Sequence, residues 1–172
     1  MATKHNRPSC IVNRHDLQEA DDAHYPGSDE LLSIGAPMAA ATGLTALGVH
    51  HELLPPGRRT SWPHAERDLD EFVYVLEGRP QVWLDGEVHD LAPGDGVGFP
   101  RGTGIAHTFL NNTADDVRLL VIGEKSRPGV GLHYPCHPAR NAEIGERHWS
   151  DRPQRPLGSH DGMPDQLRKR TA

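Results

Sequence analysis

Four side chains have the types and spacing that metal chemistry requires: His64, Glu66, Glu71 and His107. His64 and Glu66 are two residues apart, so on a β-strand they point to the same face. Glu71 opens a run of aromatic and β-branched residues, and His107 lies within a similar run at 105–110. Imidazole and carboxylate together suit Zn, Fe(II), Mn and Ni. Two carboxylates neutralise a divalent ion and so lower the cost of placing it in a barrel interior. The oxygen-rich set tilts towards Fe(II) or Mn(II), while two histidines keep Zn and Ni open. A bound ion with an open position would hold displaceable water, act as a Lewis acid or lower the pKa of that water.

Strand parity extends this reading to the surrounding residues. Ile105, His107 and Phe109 share a face, as do Glu71, Val73 and Val75, so the metal would stand among apolar walls, with Phe109 lining the substrate pocket. Tyr74 should face away. Glu66 is either a fourth ligand or stands behind the ligands, orienting His64 or acting as the catalytic base. His51, on a strand face with Leu47, Val49 and Leu53, is a candidate substrate contact or a satisfied core histidine. Arg101, in the turn Pro100-Arg101-Gly102, is a candidate for binding a substrate carboxylate or a solvated turn residue. Trp62 and Trp83 are read first as packing residues and second as pocket lining. In the bland alternative the barrel holds no metal, His64 and Glu66 are rim residues, and Glu71 is a strand-start carboxylate.

The elements that must position these groups are short strands. Strands are predicted over 44–54, 71–77, 80–84, 87–91, 96–99, 105–110 and 116–122, joined by turns rich in Gly, Pro, Asp and Asn. Asp85-Gly86 is a strong two-residue hairpin signal, because both central positions favour positive φ. Such a pattern argues for an all-β, double-sheet jelly-roll barrel. Residues 1–42 read as an N-terminal arm with one or two strands, the first at 9–13; a long helix over 36–41 is disfavoured by Pro37 and Gly43. Residues 43–123 read as the barrel. Residues 124–172 contain six prolines and few apolar residues. They read as an extension lying on the barrel or on a partner subunit, because Tyr134 and Trp149 are unusual in a disordered tail. One or two helical turns are expected within 143–149.

The same residues resemble the two motifs of the cupin superfamily. In the first, G-x5-H-x-H-x3,4-E-x6-G, the positions are taken by Gly57, His64, Glu66, Glu71 and Gly78. In the second, G-x5-P-x-G-x2-H-x3-N, they are taken by Gly94, Pro100, Gly102, His107 and Asn111. Glu66 replaces the second histidine, and one residue and two residues are added within turns, before His64 and before His107. The resemblance covers roughly residues 43–123. It implies a double-stranded β-helix that binds one divalent metal ion through His64, Glu71 and His107, with Glu66 nearby. Cupins include dioxygenases, decarboxylases, lyases and isomerases, and also stand-alone barrels that hold a ligand without turning it over.

Bulk properties exclude several classes. The 172 residues fit one domain with extensions, and the net charge of −6 leaves no basic surface for nucleic acid. No helix-turn-helix pattern is present. There is no apolar run of membrane-spanning length and no apolar leader near the start, so a cytoplasmic location is expected. Cys10 and Cys136 are read as free thiols. Few Lys or Arg lie in the barrel region to pair with a phosphate. The expectation is therefore a metal-dependent enzyme acting on a small organic acid or enol by lyase or oxygenase chemistry. A non-catalytic binding or sensor module is the alternative. A homodimer is expected, because jelly-roll sheets have edges to cover and residues 9–13 offer a strand to do so.

Overall fold

Alternating side chains and tight turns build two facing sheets in this computed structural model, which describes residues 7–171. Residues 1–6, on which the question of a leader turns, lie outside them. The larger sheet has five antiparallel strands: β1 (Ile34–Pro37), β2 (Leu47–Leu54), β9 (Val117–Glu124), β4 (Glu71–Glu77) and β7 (Gly96–Phe99), in that spatial order. Opposite it, β5 (Gln81–Leu84) lies between β6 (Glu87–Asp90) and β8 (His107–Leu110). Single bridges from Arg59 to Leu110 and from His64 to His107 carry this sheet on to β3 (Ala65–Glu66), which pairs with β10 (Leu132–His133). Two facing antiparallel sheets of this kind form a jelly roll.

The core lies between the sheets. Leu54, Val73, Val75, Val82, Phe99, Phe109, Val117 and Leu119 form one buried cluster. Each such fully buried aliphatic or aromatic side chain contributes about 1.5–3 kcal/mol. Ala65, Trp83, Ala106, Leu110 and Trp149 form a second cluster on the outer side of the smaller sheet. This is where the C-terminal extension packs. The Trp83 indole donates to the His160 carbonyl at 2.8 Å, and the Trp149 amide donates to the Leu132 carbonyl at 2.8 Å.

Two glycines show why the turns have their sequences. Asp85 and Gly86 both have positive φ, 46° and 93°, as the hairpin requires. A Cβ on Gly86 would also stand 2.3 Å from the Gly158 nitrogen, so the same glycine lets the tail cross the turn. Gly78, which closes the first motif, has φ 82°, and a Cβ there would lie 2.8 Å from Val117 Cγ2.

Residues 9–13 do not form a strand. The Asn13 side chain instead caps a short helix, α1 (Arg14–Leu17), accepting from the His15 amide at 3.0 Å. Among the described residues the arm has a single strand, β1, which pairs with β2, followed by a one-turn helix α2 (Met38–Ala41). The extension carries α3 (Pro138–Glu143), a single 3-10 turn (Gly145–Arg147) and α4 (Asp165–Thr171). Arm, barrel and tail meet on one buried ion pair. Arg59, with no exposed surface, donates to both Glu30 carboxylate oxygens at 2.6 and 2.7 Å and to the Gly162 carbonyl at 2.9 Å.

Candidate active site

The inward positions of β4, β8 and the segment entering β3 bring three of the predicted residues to one cavity. His64, Glu71 and His107 line a space of about 160 Å³ together with Ser33, Glu52, Thr60, Ser61, Val73, Phe109 and Val121. Backbone pairing of His64 with His107 sets their rings side by side, 5.1 Å between centroids. His107 Nε2 is 3.0 Å from Glu71 Oε1, and Phe99 stacks on the His107 ring at 3.5 Å. The His64 Nδ1 donates to the Trp62 carbonyl at 2.9 Å. That bond fixes the tautomer, leaving Nε2 unprotonated.

The electrostatics follow from burial and proximity. Burial lowers the His64 pKa to about 4; the neighbouring His107 adds to this, and Glu71 opposes it. His64 is therefore neutral near pH 7. Burial opposes ionisation of Glu71, but the His107 hydrogen bond, with the electrostatic pull of the neighbouring imidazoles, outweighs it and holds the carboxyl below its ordinary value. Glu66 sits on the other side of Glu71, in a second recess shared with Gly48, His50, Asp70 and Glu124. Burial, reinforced by Glu71, pushes its carboxyl up to about 7.

The donor types, two imidazoles and a carboxylate facing one cavity, suit a divalent cation. The buried His107 Nδ1 has no partner, whereas a ligating histidine usually has its second nitrogen hydrogen-bonded. Among the described residues, no three His, Cys, Asp or Glu side chains are gathered so as to hold an ion as they stand. The His107–Glu71 pair is closed on itself by a shared proton, which an incoming ion would have to displace.

Phe109 lines the cavity, with its ring edge-on to Phe99 at 6.1 Å. His51 does not reach it. Glu52 lines the cavity and Leu54 joins the core, so His51, one residue before Glu52, points to the opposite face of β2. There it is buried, near Arg14, Arg118 and Glu77, and desolvation lowers its pKa. Arg101 also lies outside both recesses. Its amide donates to Asp70 Oδ1 at 2.8 Å, and its guanidinium, more than half exposed, meets Glu124 at 3.4 Å.

Sequence reasoning missed Glu52 and the residues that arm and tail bring to the site. Tyr134 places its ring 5.7 Å from His64. Trp62 is sandwiched between Tyr25 and His137, each at 4.1 Å, and donates to Glu30 at 3.0 Å. The parity of Leu54, an apolar residue at the end of β2, was the available signal for Glu52. Nothing in the local pattern of the tail pointed to Tyr134.

Comparison with known proteins agrees with this architecture. Residues 50–123 match the Cupin domain family. A curated relative, "Polyketide synthase CurC" of Streptomyces cyaneus, is 31% identical over 106 residues, covering 61% of this chain and 64% of its own length. A solved sugar phosphate isomerase of the cupin superfamily from Silicibacter pomeroyi is 33% identical over 59% of this chain and 64% of its own, with a TM-score of 0.57. The polyketide cyclase RemF of Streptomyces resistomycificus shares the fold at 23% identity, over 80% of this chain and 94% of its own, with a TM-score of 0.59. No helix among the described residues is long and apolar enough to cross a membrane. With both motifs on facing sheets of a jelly roll and the family match spanning β2 to β9, the chain is a cupin-domain protein.

Proposed function

We infer that the protein is a cytoplasmic, metal-dependent cupin enzyme that moves protons on a small enolisable organic molecule, the lyase side of cupin chemistry. The observation that carries this reading is the convergence of His64, Glu71 and His107 on one small cavity with Glu66 close behind. His64, Glu71 and His107 would hold one divalent ion, of Fe, Mn, Zn or Ni. When bound, it would supply Lewis-acid polarisation of a substrate oxygen. The chain's own residues do the rest. Val73, Phe109 and Val121 exclude water and give the substrate carbon skeleton an apolar wall. Glu66, whose carboxyl burial pushes up to about 7, stands in the adjoining recess that Glu71 separates from the cavity, and would act as base on a substrate that extends past Glu71 into that recess.

The substrate class follows from what the cavity lacks as well. Among the described residues no Lys or Arg lines it, so a phosphate ester such as the substrate named for the Silicibacter pomeroyi relative would find no cationic side chain there. The curated relative is a polyketide synthase by name. Polyketide intermediates carry repeated carbonyls whose intervening carbons enolise readily. Both cysteines are free, which suits a reducing compartment.

The test is exchange of the central C–H protons of acetylacetone, the simplest such dicarbonyl, for solvent deuterium. Exchange above the buffer rate, abolished by chelator and by Glu66→Gln, supports the reading. Binding without exchange turns it into a sensor or ligand-holding cupin. Oxygen uptake with the same probe would mark the ion as an oxygenase centre instead.

A further inference from the structure

We propose that the cleft between the C-terminal extension and the outer face of the smaller sheet is a second ligand site, for a small organic carboxylate with an apolar body. A space of about 250 Å³ lies there, with the buried Ala106 at its base and residues of the tail as its walls. It shares no lining residue with the cavity of His64 and His107. Ala106, immediately before β8, lines the cleft, while the next residue, His107, lines the cavity. His133 lines the cleft and pairs with Ala65, the neighbour of His64. The two spaces therefore stand back to back across the segments that carry both histidines.

Charge decides the sign of the ligand. Arg155 meets Asp85 Oδ2 at 2.5 Å, so these two cancel. Arg152 lines the same cleft, half-buried, and among the described residues its side chain has no hydrogen bond and no ion pair. One positive charge is left over in a partly desolvated place, where a single carboxylate is held well.

His133 adds a second polar group. It is 8% exposed, its Nδ1 lies 3.3 Å from His148 Nε2, and its own Nε2 has no partner among the described residues. With His148 donating to Nδ1, the His133 proton sits on Nε2 and can be given to an anion. Burial, Arg152 and His148, in that order, hold the imidazole down to about 4. Two imidazole nitrogens at this separation could also flank a metal ion. Arg152 beside them opposes that, and among the described residues no third His, Cys, Asp or Glu joins them.

The remaining walls select the body of the ligand. Pro135, Pro138, Pro153 and Leu157 are apolar, and Leu157, 52% exposed, offers surface that a ligand would cover. A hydrated sulfate or phosphate gains nothing from these walls, and the Asp85 carboxylate repels its second charge. A monoanion carrying one apolar ring uses both the walls and the guanidinium.

Benzoate is the probe, followed by amide NMR on the full chain, as purified and after chelator treatment. Binding is expected with a dissociation constant on the order of 1 mM, unchanged by chelator, with the shifts centred on Ala106, His133, Arg152 and Arg155. Benzyl alcohol, which lacks the charge, and sulfate, which lacks the ring, should each bind about tenfold more weakly or worse. Arg152→Gln should lose about tenfold or more, and so should Leu157→Asp, a change at an exposed wall position. Arg127→Gln, which removes an exposed arginine elsewhere in the extension, should bind as wild type does.

Equal affinity in wild type and Arg152→Gln overturns the proposal. So does either control compound binding as tightly as benzoate, or no binding of benzoate at all. Shifts centred on His64 and His107, or binding lost with chelator, would place the probe in the other cavity and overturn it as well. None of these results bears on the proton chemistry inferred for that cavity, which the acetylacetone experiment tests by itself.

Discussion

Glu71 Oε1 lies 3.0 Å from His107 Nε2, so the two residues that the cupin motifs place on opposite sheets share a proton across the barrel. Neither sheet alone contains this pair. Its existence depends on the register that pairs Glu71 with Phe99 on one side and His64 with His107 on the other. An ion entering the site must displace that proton. Metal binding should therefore weaken as the pH falls, because protons compete with the ion for the imidazole nitrogens and the carboxylate. Calorimetric titration of Mn or Zn at a series of pH values measures this directly. Affinity that does not change between pH 8 and pH 5 would mean that the ion does not use these residues.

Stability should depend on Glu52 in a definite direction. Its folded pKa, near 7, lies above the ordinary glutamate value, so its contribution is fully present below about pH 4.5 and is lost as the pH rises towards and through 7. The loss should be on the order of 1–3 kcal/mol, measured in metal-free protein as the difference between wild type and Glu52→Gln. Urea unfolding at pH 4.5 and 8 provides it. Equal pH dependence in the two proteins would show that Glu52 ionises freely.

Much of the architecture was legible, and the failures have physical causes. Period-two alternation and turn chemistry located β2 and β4 to β9 to within a few residues, because each strand has one face in the core and a short turn at its end. The two motifs identified His64, Glu71 and His107 as the residues to be brought together. The inward face of β2 was misread because both of its faces are covered: the barrel covers one, and the arm helps to bury His51 on the other. Alternation cannot distinguish two buried faces. At residues 9–13 the strand propensity of Ile11 and Val12 gave way to the Asn13 cap, a local hydrogen bond that strand propensity alone does not weigh. The tail has no period at all. Its position depends on particular long-range contacts such as Trp83 with His160.

The Arg59–Glu30 pair should be a weak point when broken. Glu30→Gln leaves the buried Arg59 charge without its anion, and Trp62 with a weaker acceptor. A cost of about 3–5 kcal/mol is expected. Replacing both, as in Glu30→Gln/Arg59→Met, should recover part of that loss. Thermal unfolding of the three proteins checks this. A single variant as stable as wild type would show that the pair does not tie the arm to the barrel.

The expected homodimer now has a different basis. With no strand at 9–13, the best-suited surface is the outer face of β4, where Phe72, Tyr74 and Leu76 are 44%, 37% and 38% exposed. Three adjacent outward apolar side chains on one strand are unusual for a solvated sheet face. Sedimentation should give a dimer for wild type and a monomer for Phe72→Glu/Leu76→Glu with its fold intact. A monomeric wild type would reject the dimer.

The central claim is that one ion, held by His64, Glu71 and His107, makes this cavity a site of proton transfer on an enolisable molecule. Its most direct test is to strip the protein with chelator, titrate a divalent metal back, and follow deuterium exchange into acetylacetone at each addition. Exchange should be absent in the stripped protein, rise in proportion to bound ion and level off at one ion per chain. His64→Ala/His107→Ala should show neither the binding nor the rate. Full exchange in stripped protein, or one ion bound with no exchange at saturation, would contradict it.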